Sequence, residues 1–306
     1  MEGVLNILKP PGMTSHDVVD WVRDLTGLDK VGHTGTLDPG GSGVLVVLLG
    51  RATRVARFFA DNDKEYLAEA IFGAETDTQD VFGRIVEYGE ASNLTQEDVL
   101  RVLPLFEGEI AQVPPLVSAV RHRGKRLYEI ARTGGTAEVP PRVVRISGLA
   151  VLRGEWGVKA PRALFRISCS KGTYIRTLVT DIGRALGCRA HLGFLLRIRA
   201  GRFTIASART LEELAGLRAE GRLESAIIRL EEIFAHLPKV EVKRSAVKSV
   251  KSGGRLYPAG AVNDISQLSR DLLVRLVSNA ELLAIARVEN FGGRTVLKPV
   301  WVNSVQ

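Results

Sequence analysis

One carboxylate in this chain stands in a setting suited to presenting it to a substrate. Asp38 lies in Gly32-His33-Thr34-Gly35-Thr36-Leu37-Asp38-Pro39. The glycines permit tight backbone geometry, and Pro39 fixes its own φ and restricts the residue before it. The apolar run 44–49 follows at once and reads as a buried strand. A short acid held rigidly at a strand edge is a way to present a nucleophile. An isolated Asp-Pro-Gly-Gly is more often only a turn, so the companions of Asp38 decide the matter. Other chemistries have weaker footing. Gly35-Thr36 is not followed by the lysine of a phosphate-binding loop. Two aspartates in Thr76-Asp77-Thr78-Gln79-Asp80 suit a hydrogen-bonded turn better than a metal site. Cys169 and Cys188 lack metal-ligand spacing, and the five histidines are scattered. No metal and no cofactor is expected.

Positioning Asp38 falls to the elements around it. Residues 3–8 read as a strand ended by Lys9-Pro10-Pro11-Gly12. Lys9 is either a phosphate contact or a solvated lysine beside that turn. Thr14 or Ser15 caps a helix whose apolar face is Val18, Val19, Trp21 and Val22, with Gly27 closing it. A helix is expected near 52–60. Asp63 to Phe72 alternates as a strand with one buried face. Thr95 and Thr210 open further helices through capping boxes. Residues 143–153 and 163–169 alternate as strands. Leu178, Val179, Ile182 and Leu186 recur at helical spacing after Tyr174 and Arg176. An arginine in a first helical turn opposes the helix dipole, so Arg176 calls for a carboxylate partner. Beyond Leu237-Pro238, the pieces 272–277, 282–288 and 295–301 suggest a small β-rich module.

Composition sets the class. The chain has 306 residues, 45 % hydrophobic and 25 % charged, as in ordinary globular proteins. It has no apolar run of membrane-spanning length. Met1-Glu2-Gly3 lacks the start of a signal peptide, and a cytoplasmic protein is expected. A formal net charge of +8 favours a polyanionic partner. Between Ser118 and Arg145 the basic residues Arg121, Arg123, Lys125, Arg126, Arg132 and Arg142 surround Tyr128, a pattern suited to RNA.

The Asp38 string resembles the G-H-x-G-T-L-D-P motif of the TruB-type pseudouridine synthases. The resemblance begins at Gly3-Val4-Leu5-Asn6-Ile7-Leu8-Lys9-Pro10-Pro11-Gly12-Met13-Thr14-Ser15. It continues through Asp63-Lys64-Glu65-Tyr66, Thr76 to Gly83, and Ser170-Lys171-Gly172-Thr173-Tyr174-Ile175-Arg176, covering roughly residues 3–205. It implies an α+β fold: a catalytic domain at 1–238 on a mixed, mainly antiparallel sheet, with an RNA-gripping insertion at about 120–148. A PUA-like β-rich domain would occupy 239–306. It implies isomerisation of a uridine in RNA to pseudouridine, at position 55 in the T loop of tRNA. Asp38 would act at the sugar, as nucleophile or by taking a sugar proton. Arg176 would pair with it, and His33 would prop the vacated RNA position. Tyr66 would stack on the extruded base, and Tyr174 and Leu195 would wall its pocket. In 195–197, Leu196-Arg197 replaces the family's usual pair of arginines. The expected partner is the tRNA T stem-loop, with no obligate protein partner and no membrane. The alternatives are an RNA-guided synthase of a ribonucleoprotein and an RNA-binding or tRNA-folding protein.

Overall fold

The computed structural model describes residues 1–59, 63–115, 117, 118, 120–122, 125–127, 130, 135 and 139–303; of residues 121, 122, 125 and 126 it describes the backbone alone. Among the described residues, seventeen strands run in chain order. They are β1 (Gly3–Lys9), β2 (Val31–His33), β3 (Ser42–Leu49), β4 (Lys64–Phe72), β5 (Ala74–Thr76), β6 (Ile85–Tyr88), β7 (Gly108–Gln112), β8 (Arg121–His122) and β9 (Lys125–Arg126). After them come β10 (Arg142–Glu155), β11 (Arg162–Cys169), β12 (Ala190–Ala200), β13 (Phe203–Thr204), β14 (Lys239–Glu241), β15 (Leu273–Ser278), β16 (Glu281–Phe291) and β17 (Arg294–Val302). The helices used below are α1 (Ser15–Thr26), α2 (Gln96–Val102), α3 (Ile175–Ala185) and α4 (Leu211–Ala219).

Among the described residues, nine strands form one mixed sheet in the order β1-β3-β12-β4-β11-β10-β7, with β2 on β3 and β13 on β12. Every pairing in it is antiparallel except β12 with β3. The strand that reads as Asp63–Phe72 is β4. Tyr66, Ala68, Ala70 and Phe72 face inward from it, as the alternation requires. They pack with Ile175, Leu178, Val179 and Ile182 of α3, whose helical spacing puts those side chains on one face. Over β1 and β3, Val18, Val19 and Val22 of α1 and Leu214 of α4 cover Leu5, Ile7, Leu45 and Val47.

The capping signals hold. Thr14, Thr95 and Thr210 each accept a hydrogen bond from the backbone N–H three residues on, closing capping boxes with Asp17, Asp98 and Glu213. The stretch expected as a helix near 52–60 is instead a 3-10 helix over Gly50–Phe58. The three C-terminal strand pieces are β15, β16 and β17, which join β14 in a separate four-stranded sheet.

One feature of the large sheet matters for the site. β1 pairs with the whole of β3, from Lys9–Gly43 to Gly3–Leu49. The other edge of β3 is therefore shared. β12 takes its start, at Ser42 and Gly43, and β2 takes its end, from Val47 to Leu49. Between them the sheet forks, and the segment 34–41 fills the fork. Gly43 is required there: its φ is 111°, and a Cβ would lie 2.2 Å from the Arg197 carbonyl oxygen.

The basic excursion expected at about 120–148 falls partly outside the described residues, Arg123, Tyr128 and Arg132 among them. Its described parts include the β8–β9 hairpin and the start of β10.

Candidate active site

Nearly every peptide from Gly35 to Pro39 is held from outside the segment. The Arg197 guanidinium enters the fork from β12. It donates to the carbonyls of Val44 (2.6 Å), Thr36 (3.2 Å) and Gly35 (3.0 Å). Arg197 is 1 % exposed, so these three carbonyls are what compensates its buried charge. Because Thr14 is the cap of α1, Ser15 is free for another task. Its hydroxyl accepts from the Leu37 N–H (2.8 Å) and donates to the Leu37 carbonyl (3.0 Å). The Pro39 carbonyl accepts from the Gly12 N–H (2.8 Å) and from Lys9 Nζ (3.3 Å).

Lys9 is thus neither a phosphate contact nor a solvated side chain. It is fully buried and also donates to the carbonyls of Pro10 and Met13. Burial pulls its pKa down to about 8; nearby Asp38 opposes that fall, and Arg197 adds to it. Lys64 is also lowered, by burial first and then by Arg197. A group of buried cations therefore backs the loop that carries Asp38.

Arg176, in the first turn of α3, finds the carboxylate that its position requires. Its Nε donates to Asp38 Oδ2 (2.8 Å) and its Nη2 to Asp38 Oδ1 (3.2 Å), a two-point pair. The remaining donors reach the carbonyls of Thr78 (2.9 Å) and Val117 (2.8 Å). Arg176 is 3 % exposed, whereas the Asp38 side chain is 39 % exposed. The acid is fixed from behind and open in front.

In front of it lies a cleft of about 210 Å³, lined among others by Asp38, Gly40, Thr78, Phe82, Arg176, Phe194 and Leu195. That is below the ~300 Å³ at which pockets for drug-sized ligands begin, and suits a single small ring system. The site residues expected from sequence fall into two groups. Asp38, Arg176 and Leu195 meet at this cleft. Tyr66 lies behind it, 6 % exposed, in the apolar cluster that holds Leu37 and Leu195. Burial raises the pKa of its phenol, against the opposing effect of Arg197. Tyr174 is half-buried at the N-terminus of α3, where its N–H donates to Gln112 Oε1 (3.0 Å). His33 ends β2, and its Nδ1 is buried without a hydrogen-bond partner. Burial, and then Arg197 and His16, lower its pKa.

Sequence reasoning missed three parts of this arrangement. Arg197 entered only as half of an altered arginine pair, Ser15 as a possible cap, and Phe82 only inside a motif string, with no role of its own. Only the two glycines Gly41 and Gly43, at the start of β3, signalled that something approaches the backbone closely there.

What the arrangement can do is hold one carboxylate immobile at the mouth of a small cleft, with its arginine partner already in place. Among the described residues no group of three or more His, Cys, Asp or Glu side chains is placed to hold a metal ion.

Comparison with known proteins bears on what that acid does. The family model described as TruB family pseudouridylate synthase (N terminal domain) matches residues 23–175. A second, described as tRNA pseudouridylate synthase B C-terminal domain, matches residues 176–235. A protein of Pelotomaculum thermopropionicum named tRNA pseudouridine synthase B is 52 % identical over 94 % of this chain and 91 % of its own. Another of the same name, from Symbiobacterium thermophilum, is 51 % identical over 83 % of this chain and 82 % of its own. Among solved structures, an H/ACA RNP bound to a substrate RNA containing 2'-deoxyuridine has a chain that superposes with a TM-score of 0.73. That chain is 29 % identical, with 99 % of this chain and 85 % of that one covered. A Cbf5-Nop10-Gar1 complex gives a TM-score of 0.70 at 33 % identity, covering 96 % of this chain and 83 % of that one.

Proposed function

The chain belongs to the TruB family of pseudouridylate synthases, and from that premise we propose that it isomerises the uridine at position 55 in the T loop of tRNA, with Asp38 as the reacting acid. It is an isomerase of RNA, and tRNA pseudouridine synthesis is the activity named for its relatives. The carrying observation is the two-point Arg176–Asp38 pair, buried on the arginine side and open on the acid side.

The reaction exchanges one bond to the sugar for another. The C–N bond between sugar and base breaks, the freed base turns, and a ring carbon bonds to the same sugar carbon. That ring carbon loses its proton and the ring nitrogen gains one, so the change is neutral in atoms and electrons. Asp38 acts either by attacking the sugar carbon or by removing a sugar proton. Both routes need a fixed carboxylate, and the clamped peptides of 35–39 hold Asp38 in place. The target base must leave its stack to reach the acid. Leu195 is proposed to wall the pocket that receives it, with Tyr174 at the N-terminus of α3. Tyr66 is proposed to stack on the base, which requires RNA to uncover a ring that is buried here. His33 is proposed to prop the position that the base vacates. The chain is proposed to divide after Pro238, with 239–306 as a PUA-like unit.

The test is pseudouridine mapping on an unmodified tRNA transcript with the pure protein alone. A single new site in the T loop is expected, with Asp38→Asn reducing its formation by about 10²–10⁴-fold or more. Asp38→Asn enzyme working at the wild-type rate would refute the assignment. A second reading has its own observation: the superposable chains sit in structures described as H/ACA RNP and Cbf5-Nop10-Gar1. A guided enzyme would leave bare tRNA unmodified in the same assay.

A further inference from the structure

Two exposed aromatic rings share the lip of the Asp38 cleft. Phe82 is 75 % exposed and Phe194 is 45 % exposed, and both line the cleft. A lone surface phenylalanine needs no explanation. Two on one lip, beside the reacting acid, do. We propose that Phe82 is a stacking platform for a nucleotide next to the target uridine, with Phe194 completing the surface.

The geometry supports a platform more than a loose side chain. The Phe82 ring rests on Gly40, where a Cβ would lie 2.2 Å from its Cε2. At 75 % exposure, most of the side chain stays open to solvent even with that contact made. The loop beneath it is rigid. Asp80 Oδ1 accepts from the Thr78 hydroxyl (2.6 Å) and from the Phe82 N–H (3.0 Å). Asp77 Oδ1 accepts from the Arg84 N–H (2.9 Å). The Val81 N–H donates to the Leu192 carbonyl (3.0 Å), which ties the loop to β12, the strand that carries Phe194. Asp80 Oδ2 also stands 4.0 Å from Arg176 Nε. The ring is therefore referenced to the Arg176–Asp38 pair through a single carboxylate.

The chemistry of the occupant follows from the location. A base drawn into the cleft brings its flanking nucleotides to the lip, where they have lost their own stacking partner. Base–aromatic stacking restores that contact without regard to base identity. The inference rests on the proposed reading of the site as one that takes a flipped uridine, and it adds a second contact point outside that pocket.

The experiment measures the Kd of an unmodified T-stem-loop RNA for wild type, Phe82→Ala, Phe82→Leu and Phe82→Trp. Each is repeated on RNAs that are abasic on the 5′ or on the 3′ side of the target. On intact RNA, Phe82→Ala and Phe82→Leu are expected to weaken binding about 5- to 100-fold, and Phe82→Trp to restore it. On one of the abasic RNAs, wild type should bind as weakly as Phe82→Ala, with no further loss from the substitution. Substitution effects that are equal on all three RNAs, or absent, would overturn the proposal; the second result leaves the ring for a protein or for nothing. Pseudouridine formation by wild type on intact RNA reports separately on the site's function. Because the coupling is read in Kd, it is answered whether or not turnover occurs.

Discussion

Lys9 shows how a single buried charge can be read in two opposite ways. Its ammonium ties three carbonyls together, and one of them belongs to the residue after Asp38. Burial lowers its pKa from an ordinary 10.5 to about 8. Between those values the unfolded chain holds a proton on Lys9 that the folded chain does not. Stability must then rise with pH across that window, because the unfolded state binds more protons. Below about pH 8 the penalty for the buried charge is present in full. Comparing urea midpoints of wild type and Lys9→Met from pH 7.5 to 10 checks this: the difference should move in favour of wild type as pH rises. A difference that stays flat would show that the carbonyls keep Lys9 charged throughout. From sequence alone, a lysine before two prolines looks exposed, since turns usually are. Only the packing of β1 against the Asp38 segment reverses that expectation.

At the scale of elements, the fork between β12 and β2 is what makes room for Asp38, and Arg197 is what keeps the fork filled. Replacing it with methionine would leave the carbonyls of Gly35, Thr36 and Val44 without this donor in a buried place. At roughly 1–3 kcal/mol for each buried acceptor left unpaired, and with partial relief by water, Arg197→Met should lose about 2–4 kcal/mol. Arg197→Lys should recover little of it, because an ammonium cannot span three carbonyls as a planar fork does. Chemical denaturation of both variants checks the order. Elements defined by local signals were legible: the capping boxes, α1, α3, β4 and the β15–β17 pieces all follow from spacing and caps. That the partner of Arg176 is Asp38 came from the motif resemblance, but the need of Arg176 for an acid was legible too, because a cation in a first helical turn demands one. The fork was not. It depends on β3 sharing one edge between two strands far apart in sequence, and no window along the chain contains both. β12 was passed over for the same reason: its residues alternate weakly, and its place in the sheet is set by partners on both sides.

For the molecule as a whole, the two sheets are joined by a shared core. Val277, Leu282, Ile285 and Trp301 lie in one apolar cluster with Val4, Val44, Val46 and Phe203 of the large sheet. The C-terminal strands therefore cover a face that the large sheet would otherwise expose. Trp301→Ala should cost about 3 kcal/mol, the lower end for such truncations, because the Trp301 Nε1 donor is itself buried without a partner. The fluorescence of Trp156, which packs against Phe72 in the large sheet, should shift its unfolding midpoint together with far-UV circular dichroism. A Trp156 transition left in place would mean that the two sheets unfold separately. The Arg176 guanidinium adds a matter of timing. Its partners Asp38, Thr78 and Val117 stand 138, 98 and 59 residues away along the chain. All three loops must be closed before the acid is held, and closures of such length are slow steps in folding. A newly made chain thus gains its shape before it gains its cleft, and a half-folded copy carries an Asp38 that nothing yet anchors.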